Sequence, residues 1–370
     1  MFATANRTTD TKDRILTAPE RLRIAILVDP RFPGGTSSAV AYEIKAMHAR
    51  ADLTVHCIET KMFKGREINP TLRRALDETG LEPVWNAPIV RSDVVVLHNP
   101  SCLKFDDRLR SRIHCDRLIV VTHENVLRPD GTEGFDVAHC LRLIADRSIC
   151  RSRRLLPVSG NNRQGVEEWL RRTGSDWVQA PFDWFNICDF EMIAPTTTPA
   201  DRRGRLSRPG FEKFPSLDVM RRHFPEAADC CRILGGDSFL LDPETLPEHW
   251  EVHPFGSMPV GQFLEGIDFF VYFTHPQWRE SFGRVIAEAI CAGKVVITDP
   301  RTAATFGNAV VASDGSDVDG IIAGFLADPP SYARFITHAQ TLVQGFGSDR
   351  FAATVMAGLQ DLRNNADALL

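Results

Sequence analysis

Two acidic side chains in the second half of the chain have a spacing that suits ligand binding. Glu280 and Glu288 lie eight positions apart in the stretch RESFGRVIAEAICAGKVVITDP, residues 279–300. This stretch predicts a loop, a short helix that stops at Gly293, and a buried strand over Val295–Thr298. Eight helical residues rise about 12 Å and set the two carboxylates about 80° apart around the axis. Free backbone N–H groups at the start of the helix attract anions, so the pattern suits an extended, doubly charged ligand such as a nucleotide-sugar.

The alternative is that both glutamates lie on a solvated helix face, where such residues are common. Glu288 stands between Ala287 and Ala289, in a run otherwise suited to packing. A charged side chain in such a setting needs a partner or a ligand, because burying it alone is costly. The setting favours a binding role.

Length and composition indicate a globular protein of two domains. The chain has 370 residues, of which 43% are hydrophobic and 25% charged, and this length exceeds that of one ordinary core. A net charge of −5 argues against a dedicated nucleic-acid binder, so no nucleic-acid partner is expected. The nine cysteines lack the spacing of a zinc site and are expected to be reduced thiols of a cytoplasmic protein, with no metal bound.

The amino-terminal segment 1–20 is polar and mixed in charge, which predicts a disordered lead-in without the apolar core of a signal peptide. No window approaches the roughly 18 apolar residues of a spanning helix. Any membrane contact is therefore expected from the surface, on the inner face of the plasma membrane. Five arginines form the basis of that hypothesis, since such a patch would attract anionic lipid; the alternative is a solvated charged face. They are Arg142, Arg147, Arg151, Arg153 and Arg154.

Strands alternate with helices along the first half, which predicts a parallel sheet covered on both faces. The first predicted strand, Arg23–Asp29, leads into a glycine loop with Gly34 and Gly35 and then an amphipathic helix. Further strands are expected at Leu53–Ile58, Asp93–Leu97, Arg117–Val121, Leu155–Val158 and Trp177–Ala180, and helices at Asn69–Thr79, Gly134–Asp146 and Asn162–Thr173. The helix after the glycine loop is expected to be capped by Thr36, Ser37 or Ser38.

Ligands bind such sheets outside the carboxyl ends of the strands. His98 and His123 each follow a predicted strand directly, so both are expected at that edge. Either one alone would more often be a hydrogen-bonded loop residue than a catalyst. The pair at one edge favours a functional site. The glycine loop permits close approach to a phosphate, although a plain tight turn would use the same residues.

The second half restarts the pattern after an aromatic hinge at Pro181–Phe190. A strand at Phe190–Ala194 is predicted, followed by a loop over residues 195–216 whose arginines and Lys213 suit phosphate binding. The alternative is a solvated basic loop. Later strands are expected at Cys231–Leu234, Glu251–Phe255, Phe269–Phe273 and Ala309–Ala312, and helices at Leu217–His223, Val260–Glu265, Asp317–Ala327, Ser331–Val343 and Asp349–Leu362.

The expected architecture is α/β, with two Rossmann-like βαβ domains that face a cleft. The predicted bounds of the two domains are 21–183 and 184–345.

At this level of detail the chain resembles a known family. The 279–300 stretch is similar to the E-x7-E signature of retaining glycosyltransferases of the GT-B fold, the group-1 or family-4 type. Supporting segments occur in the corresponding order over residues 23–365: PGGTSSAV, VVTHEN, LLPVSGNNRQGV, GRLSRPGFEKFP and VHPFGSMPVGQFLEGIDFFVYF.

The resemblance implies that 21–183 is the acceptor-side domain, that 184–345 is the nucleotide-sugar-binding domain, and that a carboxyl-terminal helix at about 346–370 packs back onto the first domain. It also implies roles for individual residues on the donor side. Glu288 would bind the ribose hydroxyls and Glu280 the transferred sugar. Arg205 and Lys213 would hold the diphosphate and stabilise the charge of the leaving nucleotide. The backbone of the next three residues would lie near sugar and phosphate; these are Ser281, Phe282 and Gly283.

On the opposite side, the resemblance places His123 at the reacting face and Gly34–Gly35 beside the phosphates. His98 is assigned to the acceptor side. The interval between Arg205 and Lys213 is longer than in many members of the family, and Arg208 is the substitute for Lys213 as a donor-binding residue.

The implied activity is retaining transfer of a sugar from a nucleotide-sugar to a glycan or lipid-linked acceptor, in the synthesis of surface polysaccharide or glycoconjugates. No metal or other cofactor is expected. Two alternatives stay open: a GT-B-fold nucleotide-sugar epimerase, and a non-catalytic protein that uses the same two-domain shell for binding.

Overall fold

The structure is a computed structural model that describes residues 21–241 and 246–367. The expected lead-in over residues 1–20 lies outside this part of the chain.

The first half folds into a parallel seven-stranded sheet of order β3-β2-β1-β4-β5-β6-β7. Its strands are β1 (Arg23–Val28), β2 (Asp52–Cys57), β3 (Val84–Trp85), β4 (Ile89–His98), β5 (Arg112–Thr122), β6 (Ser148–Pro157) and β7 (Val178–Gln179). Its helices are α1 (Gly35–Met47), α2 (Pro70–Thr79), α3 (Val137–Ala145) and α4 (Gly160–Thr173). The apolar, β-branched runs predicted as strands account for the buried parts of this sheet.

The second half forms a parallel six-stranded sheet of order β10-β9-β8-β11-β12-β13. Its strands are β8 (Arg202–Leu206), β9 (Cys230–Leu234), β10 (Trp250–His253), β11 (Phe269–Tyr272), β12 (Val295–Thr298) and β13 (Val311–Ala312). Its helices are α5 (Leu217–His223), α6 (Val260–Glu265), α7 (Arg284–Cys291), α8 (Pro300–Phe306), α9 (Val318–Ala327) and α10 (Pro329–Val343). The predicted α/β class with two Rossmann-like sheets is confirmed.

Both sheets reverse strand order at one point, between β1 and β4 in the first and between β8 and β11 in the second. The loops that leave neighbouring strands there turn to opposite faces and open a crevice, which is where ligands bind in such sheets. The glycine loop follows β1 and His98 ends β4, whereas Lys213 follows β8 and Glu280 follows β11. The topology therefore brings the singled-out residues to these two crevices.

The last helix, α11 (Ser348–Asp367), returns to the first half. Arg50 on the α1 side forms a 2.6 Å ion pair with Asp349, and Arg117 of β5 donates a hydrogen bond to the Leu359 carbonyl. One cluster of buried apolar side chains continues from the first sheet through Trp184 into α7. The two sheets are thus joined by packed side chains as well as by the chain itself. No helix in the described part of the chain has the length and apolar character needed to span a membrane.

Three local predictions were wrong. The basic segment after residue 195 is not one continuous loop, because it contains the strand β8. The arginines of this strand form ion pairs at the sheet, Arg202 with Asp268 at 2.8 Å and Arg203 with Asp201 at 2.7 Å. Residues 190–194 form no strand. The cap of α1 is Gly34 with no side-chain hydrogen bond.

Candidate active site

Glu280 is the centre of a buried polar cluster at the crevice of the second sheet. Its Oε2 accepts hydrogen bonds from the Lys213 Nζ and from the Tyr272 hydroxyl, each at 2.8 Å. Burial raises the pKa of Glu280, but the Lys213 charge and the two hydrogen bonds outweigh it, and the net pKa lies below the ordinary value. The carboxylate is therefore held ionised and in a fixed position.

Arg205 supports this cluster from below. The side chain is fully buried at 0% exposure, its guanidinium lies 4.6 Å from the Phe214 ring and 4.7 Å from the Tyr272 ring, and it donates to the Lys213 carbonyl. Burial lowers its pKa to about 10. In this arrangement Arg205 positions Lys213, and direct contact with a diphosphate would require the segment to move.

Arg208, the proposed substitute, lies at the surface and is paired with Glu212 at 2.8 Å. Lys213 is the better-placed cation, because its Nζ lies against Glu280 and 4.8 Å from the centre of the Trp278 ring. The predicted phosphate-binding role of either cation stays a prediction.

The residues after Glu280 lead into α7 through a turn that requires glycine. Gly283 has a φ of 89° and precedes α7 without a side-chain cap, so the first N–H groups of the helix have no side-chain acceptor. Ser281 is buried and its carbonyl accepts from the Ser159 hydroxyl. The Phe282 ring packs against Phe306 at 5.6 Å. The predicted placement of the backbone of these three residues near sugar and phosphate stays a prediction.

Glu288 differs from Glu280 in having no partner of its own. It lies one helical turn after Arg284 on α7 and is half-buried, but its carboxylate forms no hydrogen bond or ion pair with the described residues. Burial raises its pKa, and the Arg284 charge only partly offsets this. Arg284 itself packs 4.3 Å from the Tyr42 ring. Glu288 is thus a desolvated acceptor that lacks a donor.

The first sheet contributes the two histidines that were expected at its edge. His98 Nδ1 lies 2.9 Å from His123 Nε2, so the prediction that they share one edge is confirmed. Burial and the neighbouring His98 hold the pKa of His123 well below its usual range, so the ring is neutral. Behind them, His98 Nε2 faces the Glu43 carboxylate at 3.4 Å.

The glycine loop lies beside these histidines. A Cβ at Gly34 would come within 2.8 Å of the Phe32 ring, whereas nothing lies within 4 Å of the same position at Gly35. A side chain at Gly34 would therefore have to displace the Phe32 ring, whereas Gly35 has open space around it. The loop starts from a buried ion pair between Asp29 and Arg31 at 2.8 Å, which the sequence alone did not single out.

Direct hydrogen bonds join the edges of the two sheets. We name residues 123–127 the His123 loop and residues 273–283 the Glu280 loop. Asn125 Nδ2 donates to the Arg279 carbonyl and Asn161 Nδ2 donates to the Glu280 carbonyl, both at 2.8 Å. The Glu280 loop is therefore in direct contact with the His123 loop and with the start of α4, and the shared catalytic role of their residues stays a prediction.

A cavity of about 340 Å³ opens beside the Glu280 loop. Its lining includes the aromatic ring of Trp278 and the cations Arg279 and Arg301, together with Glu280. A larger cavity of about 1270 Å³ lies at the opposite, amino-terminal ends of the first sheet's strands. Its arginines are held by protein groups, as in the 3.4 Å pair of Arg151 with Asp116. Of the residues predicted to bind or react, only Glu280 lines the smaller cavity, and on that basis we take it as the candidate site.

Residues 21–241 and 246–367 contain no group of three or more His, Cys, Asp or Glu side chains arranged to hold a metal ion. All nine cysteines are free thiols. The five arginines singled out as a patch lie on α3, on β6 and between them, and Arg153 of β6 contacts Asp176 at 3.3 Å. They do not form one helix face.

Several solved structures share this architecture. The Anabaena protein HepE, solved in complex with UDP and glucose, superposes with a TM-score of 0.63 at 14% identity over 92% of this chain and 100% of HepE. An alpha-glucosyltransferase in complex with UDP-glucose and DNA containing an abasic site gives a TM-score of 0.56 at 12% identity, over 91% of this chain and 99% of that one. The predicted GT-B fold is confirmed.

At the level of sequence, no family model matches the chain. An uncharacterized 42.6 kDa protein in the cps region of Klebsiella pneumoniae is 32% identical over 122 residues, which is 31% of this chain and 31% of that protein. The chain thus matches less than a third of the length of this relative.

Proposed function

We propose that the protein is a retaining glycosyltransferase that moves a sugar from a nucleotide-sugar to an acceptor hydroxyl. The observation that carries the proposal is the buried Lys213–Glu280 pair at the crevice of the second sheet, joined through Asn125 to the loop that begins with His123. Such a site offers a fixed cation for a leaving phosphate and fixed acceptors for sugar hydroxyls. The structural neighbours that contain UDP or UDP-glucose support a nucleotide-sugar as the donor.

In the proposed complex the donor lies along the edge of the second sheet. Glu288, which has no protein donor, accepts hydrogen bonds from the ribose hydroxyls. The diphosphate lies at the uncapped start of α7 and beside Lys213, where N–H groups and the ammonium stabilise its charge. Glu280 accepts from the sugar hydroxyls while it remains bonded to Tyr272.

The reaction replaces one bond at the anomeric carbon by another on the same face. The acceptor oxygen forms a bond to that carbon as the bond to the diphosphate oxygen breaks, and the acceptor proton passes to the departing diphosphate. Lys213 stabilises the charge that develops on the leaving group, and the enzyme's main contribution is positioning and electrostatics.

A transfer assay tests the proposal. The protein is incubated with a panel of nucleotide-sugars that includes UDP-glucose, with glycan, lipid-linked and DNA acceptors in separate arms, and products are identified by mass spectrometry. We expect transfer to a glycan or lipid-linked acceptor, unchanged by a chelator, and its loss in Glu280→Gln. Epimerised donor in the absence of any acceptor would favour the epimerase alternative, and activity that requires a metal would contradict the metal-independent mechanism.

We also propose that the protein acts in the cytoplasm, in the synthesis of surface polysaccharide or glycoconjugates, with peripheral contact to anionic membrane through the arginines at 142–154. Three of them, including Arg142, retain exposed or half-buried side chains without a carboxylate partner in the described residues. Co-sedimentation with vesicles tests the contact. Binding that is no stronger to anionic than to neutral lipid would exclude it.

A further inference from the structure

A row of three polar side chains runs from the interior of the first domain to the site. Glu43 lies on α1, His98 ends β4, and His123 follows β5. The rings of the two histidines are 2.9 Å apart at His98 Nδ1 and His123 Nε2, and His98 Nε2 faces Glu43 Oε2 at 3.4 Å. Carboxylate, inner histidine and outer histidine thus form one chain of contacts.

The inner part of this row is shielded from water. Glu43 is 3% and His98 1% exposed. Trp184, from the segment that joins the two sheets, donates its Nε1–H to Glu43 Oε2 at 2.8 Å. The Glu43 carboxylate therefore accepts one hydrogen bond of normal length, from Trp184, and has His98 Nε2 as a second neighbour at 3.4 Å.

The contact between Glu43 and His98 determines where the inner ring carries its proton. His98 Nε2 is buried and makes no hydrogen bond that meets normal geometry with the described residues. A bare nitrogen lone pair in that position would face a carboxylate oxygen at 3.4 Å, which is repulsive in a medium of low dielectric constant. An N–H at Nε2 makes the same contact attractive, so His98 carries its proton on Nε2.

The proton position on the outer ring follows from this. A neutral imidazole has one N–H and one bare nitrogen. With Nε2 protonated, His98 Nδ1 is bare and must accept the 2.9 Å hydrogen bond, so His123 donates from its Nε2. The Nδ1 of His123 is then bare, and it has no hydrogen-bond partner among the residues that the structure describes.

We propose that Glu43 and His98 are positioning residues that fix the tautomer of His123 and leave its Nδ1 as a hydrogen-bond acceptor in the site. The group that Nδ1 accepts from is a hydroxyl of the sugar or of the acceptor, and this last assignment rests on the proposed function. With the opposite tautomer, His123 would donate from Nδ1 and favour an anionic oxygen. The row therefore selects a hydroxyl over a phosphate at this position.

Ring nitrogen chemical shifts test the proposal on the wild-type protein without any substrate. The full chain is labelled with ¹⁵N-histidine, and the resonances of His123 are assigned by their loss in His123→Asn. We expect a protonated Nε2 and a bare Nδ1 in the wild type at neutral pH. A protonated Nδ1, or rapid exchange between the two forms, overturns the proposal.

Two variants test the role of the inner residues. In Glu43→Gln and His98→Phe we expect the His123 tautomer to mix or reverse, and transfer to fall about 10- to 100-fold in kcat with little change in donor KM, as for other residues that orient a functional histidine. His48→Gln, which removes an exposed histidine on the opposite side of the domain, is the control and leaves both unchanged. A His123 tautomer unaltered by Glu43→Gln and His98→Phe overturns the assignment. Absence of any transfer with the expected tautomer contradicts the proposed function alone.

Discussion

The two sheets have the same parallel arrangement and the same reversal of strand order, but the groups at their carboxyl edges differ in charge. The second sheet presents Lys213, Glu280 and Glu288, all ionisable at neutral pH, with Arg205 buried beneath them. The first sheet presents the imidazole pair His98 and His123, and the outer ring of this pair is neutral. We call the carboxyl edge of the second sheet the charged edge and that of the first sheet the histidine edge.

This difference is what a group-transfer reaction between a phosphate and hydroxyls requires. Charge develops on the leaving diphosphate, so fixed cations and helix N–H groups stabilise it most where water is excluded. Hydroxyls need oriented acceptors and no net charge. In the proposed function, the charged edge holds the donor and the histidine edge holds the reacting hydroxyls.

The largest expected effect comes from removing the cation of the charged edge. Lys213→Met keeps the volume of the side chain but leaves Glu280 with one donor. We expect transfer to fall about 10²- to 10³-fold, since a fixed group that stabilises developing charge contributes roughly 2.7–4 kcal/mol. Steady-state kinetics measure the loss. A fall below tenfold would mean that Lys213 does not stabilise the leaving group.

The same variant is expected to destabilise the fold by about 3–5 kcal/mol, the usual cost of breaking a buried ion pair from one side. The double variant Lys213→Met with Glu280→Gln removes both charges and should recover much of that stability without recovering activity. Arg334→Met, which breaks the exposed 3.5 Å pair with Asp328, is the matched control, with an expected change of at most about 1 kcal/mol.

An intermediate effect is expected for the unpartnered carboxylate. Glu288→Gln removes a charged acceptor for the ribose, so UDP affinity should fall about 10- to 100-fold, as expected for a lost hydrogen bond to a charged group of about 1.5–3 kcal/mol. Because burial raises the pKa of Glu288, the neutral amide should leave the stability of the unliganded protein unchanged or slightly higher. Calorimetric titration with UDP measures the affinity. The exposed Glu265→Gln on α6 is the control, and equal UDP affinity in both variants would contradict the assignment.

The smallest expected effects are on the pH dependence of the unfolding free energy. The two edges differ in the pH range over which they contribute. His123 has a pKa below its ordinary value of 6.5, so below pH 6.5 the unfolded chain binds a proton that the folded chain does not, and stability falls. Glu280 has a pKa below its ordinary value of 4.5, so its contribution is full above pH 4.5 and is lost as the pH falls further. Each proton changes the slope by about 1.4 kcal/mol per pH unit.

Urea unfolding between pH 7 and 3.5 measures both windows. In His123→Phe, the unfolding free energy should depend less steeply on pH above pH 4.5. Part of the slope should remain, because burial lowers the pKa of His223 to about 4 and this residue also makes the folded protein less stable as the pH falls over the same range. Glu280→Gln should change the pH dependence of the unfolding free energy only below pH 4.5. An unchanged slope above pH 4.5 in His123→Phe would mean that the outer histidine is protonated in the folded protein.

Much of this arrangement could be predicted from the sequence, because it depends on local patterns. Apolar β-branched runs identified the central strands, and the position of His98 and His123 directly after such runs placed them at one edge. Tyr272, the second donor to the Glu280 carboxylate, ends the observed strand β11, but it lies inside the predicted strand Phe269–Phe273, so the same rule did not identify it.

The parts that could not be predicted depend on contacts between distant segments. The strand that carries Arg205 is polar in sequence, and its burial becomes evident only when the carboxylates Asp201 and Asp268 are found beside its arginines. In the sequence, nothing distinguishes Glu43 from other helix residues. Its role depends on the hydrogen bond that it accepts from Trp184, which lies 141 positions away. Asn125 similarly has no local signal for its contact with the Glu280 loop.

The measurement that tests the central claim most directly is thermal or urea unfolding of the wild-type protein with a panel of nucleotide-sugars. If the charged edge binds the donor, one member of the panel should stabilise the protein by about 2.7 kcal/mol at 100 times its dissociation constant. The sugar alone should have no such effect, and Glu288→Gln should require a higher concentration of the same donor. If no nucleotide or nucleotide-sugar stabilises the wild type at millimolar concentration, the charged edge is not a donor site.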